Sequence, residues 1–173
     1  MKKIFTYLFV LLIMVIMCSC GSEEKTVTLA DNNSDGKISC TIEVRCDNLL
    51  SQLDNMTKEK AAIVPSDGII VAQTEIMLNG GETVFDILRS TLKEEKIHFE
   101  YVDASVYKSV YIEGIANLYE YDCGPQSGWM YSVNDVFPGV GCSAYTVNDG
   151  DKIMFAYTCN LGVDLGEDYS GET

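Results

Sequence analysis

The pattern of apolar residues predicts an α+β domain: several strands packed against one main helix, with a small helical insertion after the first strand. Three observations predict it. The segment 83–96 repeats apolar residues at helical spacing behind a capping signal. Several other segments alternate apolar and polar residues with a period of two, and glycine-containing turns separate them. One amphipathic helix and half-apolar strands can bury their apolar sides only against each other.

The elements follow in order. Ile38, Cys40, Ile42 and Val44 face one way and Thr41, Glu43 and Arg45 the other, which is a half-buried strand reaching Cys46. Between Asp47 and Val64 the apolar residues are sparse, and two short helical turns fit, the second capped by Thr57 and ended by Pro65. Ser66-Asp67-Gly68 is a turn, and 68–78, rich in Ile and Val, is a second strand. Asn79-Gly80-Gly81 breaks it. Thr83-Val84-Phe85-Asp86 then resembles a capping box with Asp in place of Glu, and Val84, Ile87, Leu88, Thr91 and Leu92 line one helical face. Strands are expected at 97–101, at 110–121 with a bend at Gly114, at 128–133 and at 152–158, with turns at Asn134-Asp135 and Asp149-Gly150-Asp151.

Composition narrows the function classes. The 173 residues hold 12 Lys and Arg against 26 Asp and Glu, a formal charge of −14. Nucleic-acid binding needs a basic face that displaces counterions, so it is not expected here. A single histidine, His98, leaves no multi-histidine metal site, and no metal or cofactor is expected. No G-x-S-x-G nucleophile motif occurs, and an enzyme is not the expected reading. The acidic residues Glu113, Glu120, Asp122, Asp149 and Asp151 read as a solvated rim, since nothing in the sequence sets their separation.

Residues 1–19 read as an address. Lys2 and Lys3 precede an apolar run from Ile4 to Met17 that has the length of a secretory signal's apolar core. The run ends Met17-Cys18-Ser19-Cys20, with a small residue directly before Cys20, which resembles a bacterial lipobox. Cleavage before Cys20 would put a diacylglycerol on its thiol, holding the chain at the extracytoplasmic face of the cell membrane. Residues 20–36 then form an acidic flexible tether, 37–165 the folded domain and 166–173 an acidic tail. Asp31 to Ile38 matches the start of a calcium loop, but its twelfth position is Ile42 rather than a carboxylate, so a solvated turn is the expected state.

Cys40, Cys46, Cys123, Cys142 and Cys159 lie past the signal, an odd number without a C-x-x-C pair. Cys40 and Cys46 share one strand and stand roughly 20 Å apart, beyond disulfide reach.

The helix entry Gly81-Glu82-Thr83-Val84-Phe85-Asp86-Ile87-Leu88 and the last-strand entry Asp149-Gly150-Asp151-Lys152-Ile153 resemble the β-grasp fold. With Cys40-Thr41-Ile42-Glu43-Val44-Arg45-Cys46, Tyr111-Ile112-Glu113-Gly114-Ile115 and the stretch Asp122-Cys123-Gly124-Pro125-Gln126-Ser127-Gly128-Trp129-Met130-Tyr131-Ser132-Val133-Asn134, the chain resembles the transcobalamin-like C-terminal domain family over roughly residues 38–165. The resemblance implies a β-grasp-like mixed sheet wrapped around the one main helix, with a first and a last strand that run parallel and adjacent. It implies a bacterial lipoprotein or surface protein whose domain could close over one side of a corrinoid, although the chain has no room for the helical barrel that supplies the other side. The implied fold puts Cys46 and Cys159 at neighbouring strand ends and pairs them. It leaves Cys123 and Cys142, which flank the Trp129 strand and its loop, as a second bridge, with Cys40 inward and unpaired.

Two partner classes follow. One is a small molecule, corrinoid-like, on an aromatic platform drawn from Tyr121, Trp129, Tyr131, Phe137 and Tyr145. The other is a surface protein or wall glycan meeting the apolar Phe137–Gly141 loop. For Trp129 itself, core packing is the competing reading, and the burial habit of large aromatics favours it. His98, between Ile97 and Phe99, should point to solvent.

Overall fold

The computed structural model describes residues 36–104 and 109–167. Its strands are β1 (Ile38–Arg45), β2 (Ile69–Leu78), β3 (Phe99–Ala104), β4 (Ser109–Ile115), β5 (Leu118–Tyr119), β6 (Gly128–Val133) and β7 (Asp151–Thr158). Two helices join them, the single turn α1 (Lys58–Ala61) and the main helix α2 (Val84–Glu94). Short 3-10 turns at Asp47–Ser51 and Leu53–Asn55 complete the insertion after β1, and Thr57 caps α1 by accepting from the Lys60 amide. The signal sequence, Cys20, the tether, the Asp31–Asp35 turn and most of the acidic tail lie outside the described residues.

The strands form a four-stranded sheet in the order β2-β1-β7-β6 and a three-stranded one in the order β3-β4-β5. The fold is α+β as expected, with the strands divided between two sheets. β1 and β7 are parallel and central, with Ile42 opposite Ile153 and Val44 opposite Phe155. That register follows from the alternation: matching the apolar sides of both strands places Ile42, Val44, Ile153 and Phe155 together in the core. The buried stripe of α2 (Val84, Phe85, Ile87, Leu88, Thr91, Leu92) joins the same core, as do Ile112, Ile115 and Leu118 from the second sheet.

The start of α2 shows how the chain satisfies helix-end amides. Thr83 Oγ1 accepts from the Asp86 N–H at 3.2 Å, and the Asp86 carboxylate accepts from the Thr83 N–H at 3.1 Å, completing the anticipated capping box. The Val84 and Phe85 amides donate to the carbonyls of Tyr145 and Cys142, each at 3.0 Å. The loop after β6 is therefore a cap on the main helix.

The expected long strand at 110–121 is a hairpin instead. Ala116 and Asn117 both take positive φ (53° and 63°), the two-residue turn whose twist suits paired strands. Gly114 sits opposite Tyr119, and a Cβ there would lie 2.6 Å from the tyrosine ring, so the glycine gives the ring its seat, next to a register shift at Glu113 in the pairing with β3.

Candidate ligand-binding site

Between β5 and β6 the chain makes a tight loop whose backbone is tied at every corner. The Asp122 carboxylate accepts from the Tyr119 N–H at 2.8 Å and pairs with Lys60 Nζ at 2.8 Å. Lys60 also donates to the Asn117 carbonyl and lies 4.6 Å above the Tyr119 ring centroid, so α1 clamps the hairpin from outside. The Tyr121 N–H donates to the Ser127 carbonyl, and Ser127 Oγ accepts from the Cys123 N–H, each at 3.0 Å. The Leu161 N–H closes the far side by donating to the Gln126 carbonyl at 2.9 Å.

These ties leave an open cavity of about 270 Å³ between the loop, the start of β6 and the end of β7. Its exposed apolar surfaces include Tyr121, which is 63% exposed, and Leu161. Tyr121 reaches that position on a positive φ of 69°, a left-handed backbone that costs a non-glycine residue about 1 kcal/mol. Tyr111 and Glu120 add a polar edge, the Tyr111 hydroxyl donating to Glu120 Oε2 at 2.6 Å. Burial, and then this bond to a carboxylate, push the Tyr111 phenol upward, so it stays a donor across the physiological range.

Trp129 touches the cavity but is 9% exposed. Its indole Nε1 donates to the Leu118 carbonyl at 2.9 Å, and its ring stands edge-on to Tyr157, centroids 5.3 Å apart. Tyr157 is fully buried, and its hydroxyl donates to the Tyr119 carbonyl at 2.6 Å. The indole thus builds the wall and leaves Tyr121, with Tyr111 beside it, as the accessible rings.

Of the five aromatic residues expected to form a platform, the structure brings Tyr121 and Trp129 to this cavity. Tyr131 stacks on Phe155 (5.7 Å between centroids) and donates to the Val140 carbonyl, and burial pushes its phenol up to about 12. Tyr145 packs against the core beside the α2 cap, and the half-buried Phe137 does not line the cavity. Tyr111, Glu120 and Leu161 were not anticipated, because the β4–β5 hairpin and the turn after β7 place them there. In the loop after β6, Val136 and Val140 are 65% and 50% exposed.

The expected cysteine pairings are not those of the structure. All five described cysteines are free thiols, and the Sγ of Cys159 lies 3.2 Å from that of Cys123, rather than beside Cys46. Cys142, expected to join Cys123, instead has its sulfur 3.9 Å from the Val110 carbonyl. Register explains the first difference: Arg45 pairs with Ala156, so Cys46 comes level with Tyr157 while Cys159 lies further along. Ser127 explains the second: its Oγ accepts from the Cys123 N–H and is in hydrogen-bonding contact with the Tyr157 hydroxyl, folding Cys123 back over the end of β7.

The acidic residues near the loops are engaged in local bonds. Asp151 accepts from Asn134 Nδ2 at 2.8 Å and from the Asn148 N–H at 2.9 Å, and Asp149 accepts from the Ser39 N–H at 2.8 Å. His98 is exposed, its Nε2 2.9 Å from Glu100. Among the described residues no cluster of three or more His, Cys, Asp or Glu could hold a metal ion, and no helix is long and apolar enough to cross a membrane.

Residues 81–159 match the model of a family described as a domain of unknown function, DUF4430. No curated protein sequence matches the chain. Among solved structures, haptocorrin in complex with Cbi shares the fold, with a TM-score of 0.53 and 16% identity over 72% of this chain. The chain spans 26% of haptocorrin's length. A protein from Ruminococcus gnavus ATCC 29149, described as a candidate metal-binding protein, aligns over 70% of this chain and 96% of its own at 13% identity, with a TM-score of 0.41. The described domain therefore has a transcobalamin-like fold.

Proposed function

We propose that the chain is a lipid-anchored, extracytoplasmic binding module, acylated at Cys20, that takes a small flat molecule against Tyr121. The observation behind this reading is the open cavity in which an exposed ring stands on a rigidly tied loop beside the Tyr111–Glu120 polar edge. A pre-tied loop lowers the ordering cost of binding. About 270 Å³ is below the range that encloses a whole drug-sized ligand, so the site seats one edge or face of a larger molecule. A corrinoid has such a face, and haptocorrin, which shares the fold, was solved with Cbi bound.

Calorimetric titration of the full chain with cobinamide and with cobalamin tests the corrinoid class. Saturating heat with one of them, weakened about tenfold by Tyr121→Ala, is the expected result. No heat with either at high ligand concentration overturns it. Mass spectrometry of the membrane-extracted protein tests the anchor: an N-terminal Cys20 bearing a diacylglycerol is expected, and an unmodified thiol there overturns it. A second reading, a surface protein or wall glycan as partner, is favoured by the exposed Val136 and Val140 in the loop after β6. Capture of a wall or membrane component that Val140→Asp abolishes, while Tyr121→Ala does not, selects it.

A further inference from the structure

We propose that Cys123 and Cys159 are an oxidisable pair that closes a disulfide joining the β5–β6 loop to the end of β7. The two sulfurs lie 3.2 Å apart although the residues are 36 positions apart in the chain. Backbone bonds hold each cysteine from its own side: the Cys123 N–H donates to Ser127 Oγ at 3.0 Å, and the Cys159 N–H donates to Asp164 Oδ2 at 2.8 Å. Closing to the ~2.05 Å of a sulfur–sulfur bond asks for movement on the order of 1 Å.

The other three cysteines are placed differently. Cys40, Cys46 and Cys142 are buried, out of reach of an incoming disulfide. No other two cysteine sulfurs among the described residues are in hydrogen-bonding contact. Cys159 is the half-exposed member of its pair and meets an incoming disulfide first. Burial and the neighbouring Cys123 thiol push the pKa of Cys159 upward, so the exchange is slow at neutral pH and faster in mild base.

The oxidant is a low-molecular-weight disulfide, RSSR. The Cys159 thiolate attacks one of its sulfurs, the R–S–S–R bond breaks, and one RS⁻ leaves. The Cys123 thiolate then attacks the Cys159 sulfur of the mixed disulfide and expels the second RS⁻. The two protein thiols lose two electrons together, RSSR gains them, and the two thiol protons end on two RSH molecules. The bond would staple the loop bearing Tyr121 to the Thr158–Leu161 wall of the cavity, a consequence that rests on the ligand-binding reading, whereas the bond itself does not.

Peptide mapping of the full chain tests the proposal. The protein is incubated with oxidised glutathione at pH 8, alkylated without reduction, and cleaved before aspartate. Cys123 then lies in peptide 122–134, Cys142 in 135–148, Cys159 in 151–163, and Cys40 with Cys46 in 35–46. The expected result is 122–134 linked to 151–163, a link that Cys142→Ser keeps and Cys123→Ser abolishes. Recovery of both peptides alkylated, or of 122–134 linked to 135–148 or 35–46 linked to 151–163, overturns it. The map needs no ligand, so its failure leaves the cavity reading standing, and a failed titration leaves the bond standing.

Discussion

The indole Nε1 of Trp129 donates a 2.9 Å hydrogen bond to the carbonyl oxygen of Leu118. Trp129 belongs to β6 of the four-stranded sheet and Leu118 to β5 of the three-stranded one, so this bond crosses between the sheets. Both residues are buried, and water has little access to replace a missing donor. Trp129→Phe should keep the packing roughly, leave the Leu118 carbonyl without this donor, and cost about 2–3 kcal/mol in urea unfolding. A loss below about 0.5 kcal/mol would show that the sheets do not depend on the bond.

Gly68 should not tolerate a side chain. Its φ is +71°, and a Cβ would lie 2.3 Å from the Cα of Asp47, a backbone atom that cannot swing away. The Gly68 carbonyl also accepts from the Cys46 N–H at 2.7 Å, so displacement would disturb the end of β1. Gly68→Ala is expected to cost ~2–3 kcal/mol by chemical denaturation.

Removing the α2 cap should be milder. Thr83→Ala deletes the oxygen that accepts from the Asp86 N–H, and the expected loss is about 1 kcal/mol. Thr83→Ser keeps the oxygen and should recover most of it. Denaturation of both variants at pH 7 makes the comparison.

Stability should fall on the acid side through two named carboxylates. The Thr83 hydroxyl and backbone amide hold Asp86 below its ordinary 3.8, and the Arg45 guanidinium does the same for Asp47. A carboxylate with a depressed folded-state pKa contributes stability above its unfolded pKa, and that contribution is lost as pH falls through the folded value. The window is therefore from about pH 4 downward. Asp86→Asn should flatten the acid limb of a Tm-against-pH profile, and an unchanged slope below pH 4 would rule this out.

Tyr121 separates binding from folding. Its ring is exposed and its backbone is left-handed, so Tyr121→Gly removes little packing and relieves strain. The Tm of this variant should equal or exceed that of the parent, while affinity for the ligand class proposed above falls about tenfold. A marked drop in Tm would mean that the ring supports the loop instead.

Single-residue alternation and helical spacing determined much of this protein on their own. Ile42, Val44, Ile153 and Phe155 could be assigned to one buried side because burial in a strand repeats every second residue, and Thr83 and Asp86 could be read as a cap because a helix start reuses side chains three positions apart. The parallel β1–β7 pair was legible through resemblance. Tertiary structure decided what local pattern does not encode. It divided the strands between two sheets, and it turned β4 back on β5 at Ala116-Asn117, where two residues without glycine adopt positive φ. It brought Cys159 to Cys123 and placed Tyr111, Glu120 and Leu161 around Tyr121, while sending Tyr131 and Tyr145 to the core. Those neighbours are joined by hydrogen bonds between residues far apart in the chain, and such contacts leave no period in the sequence to be read.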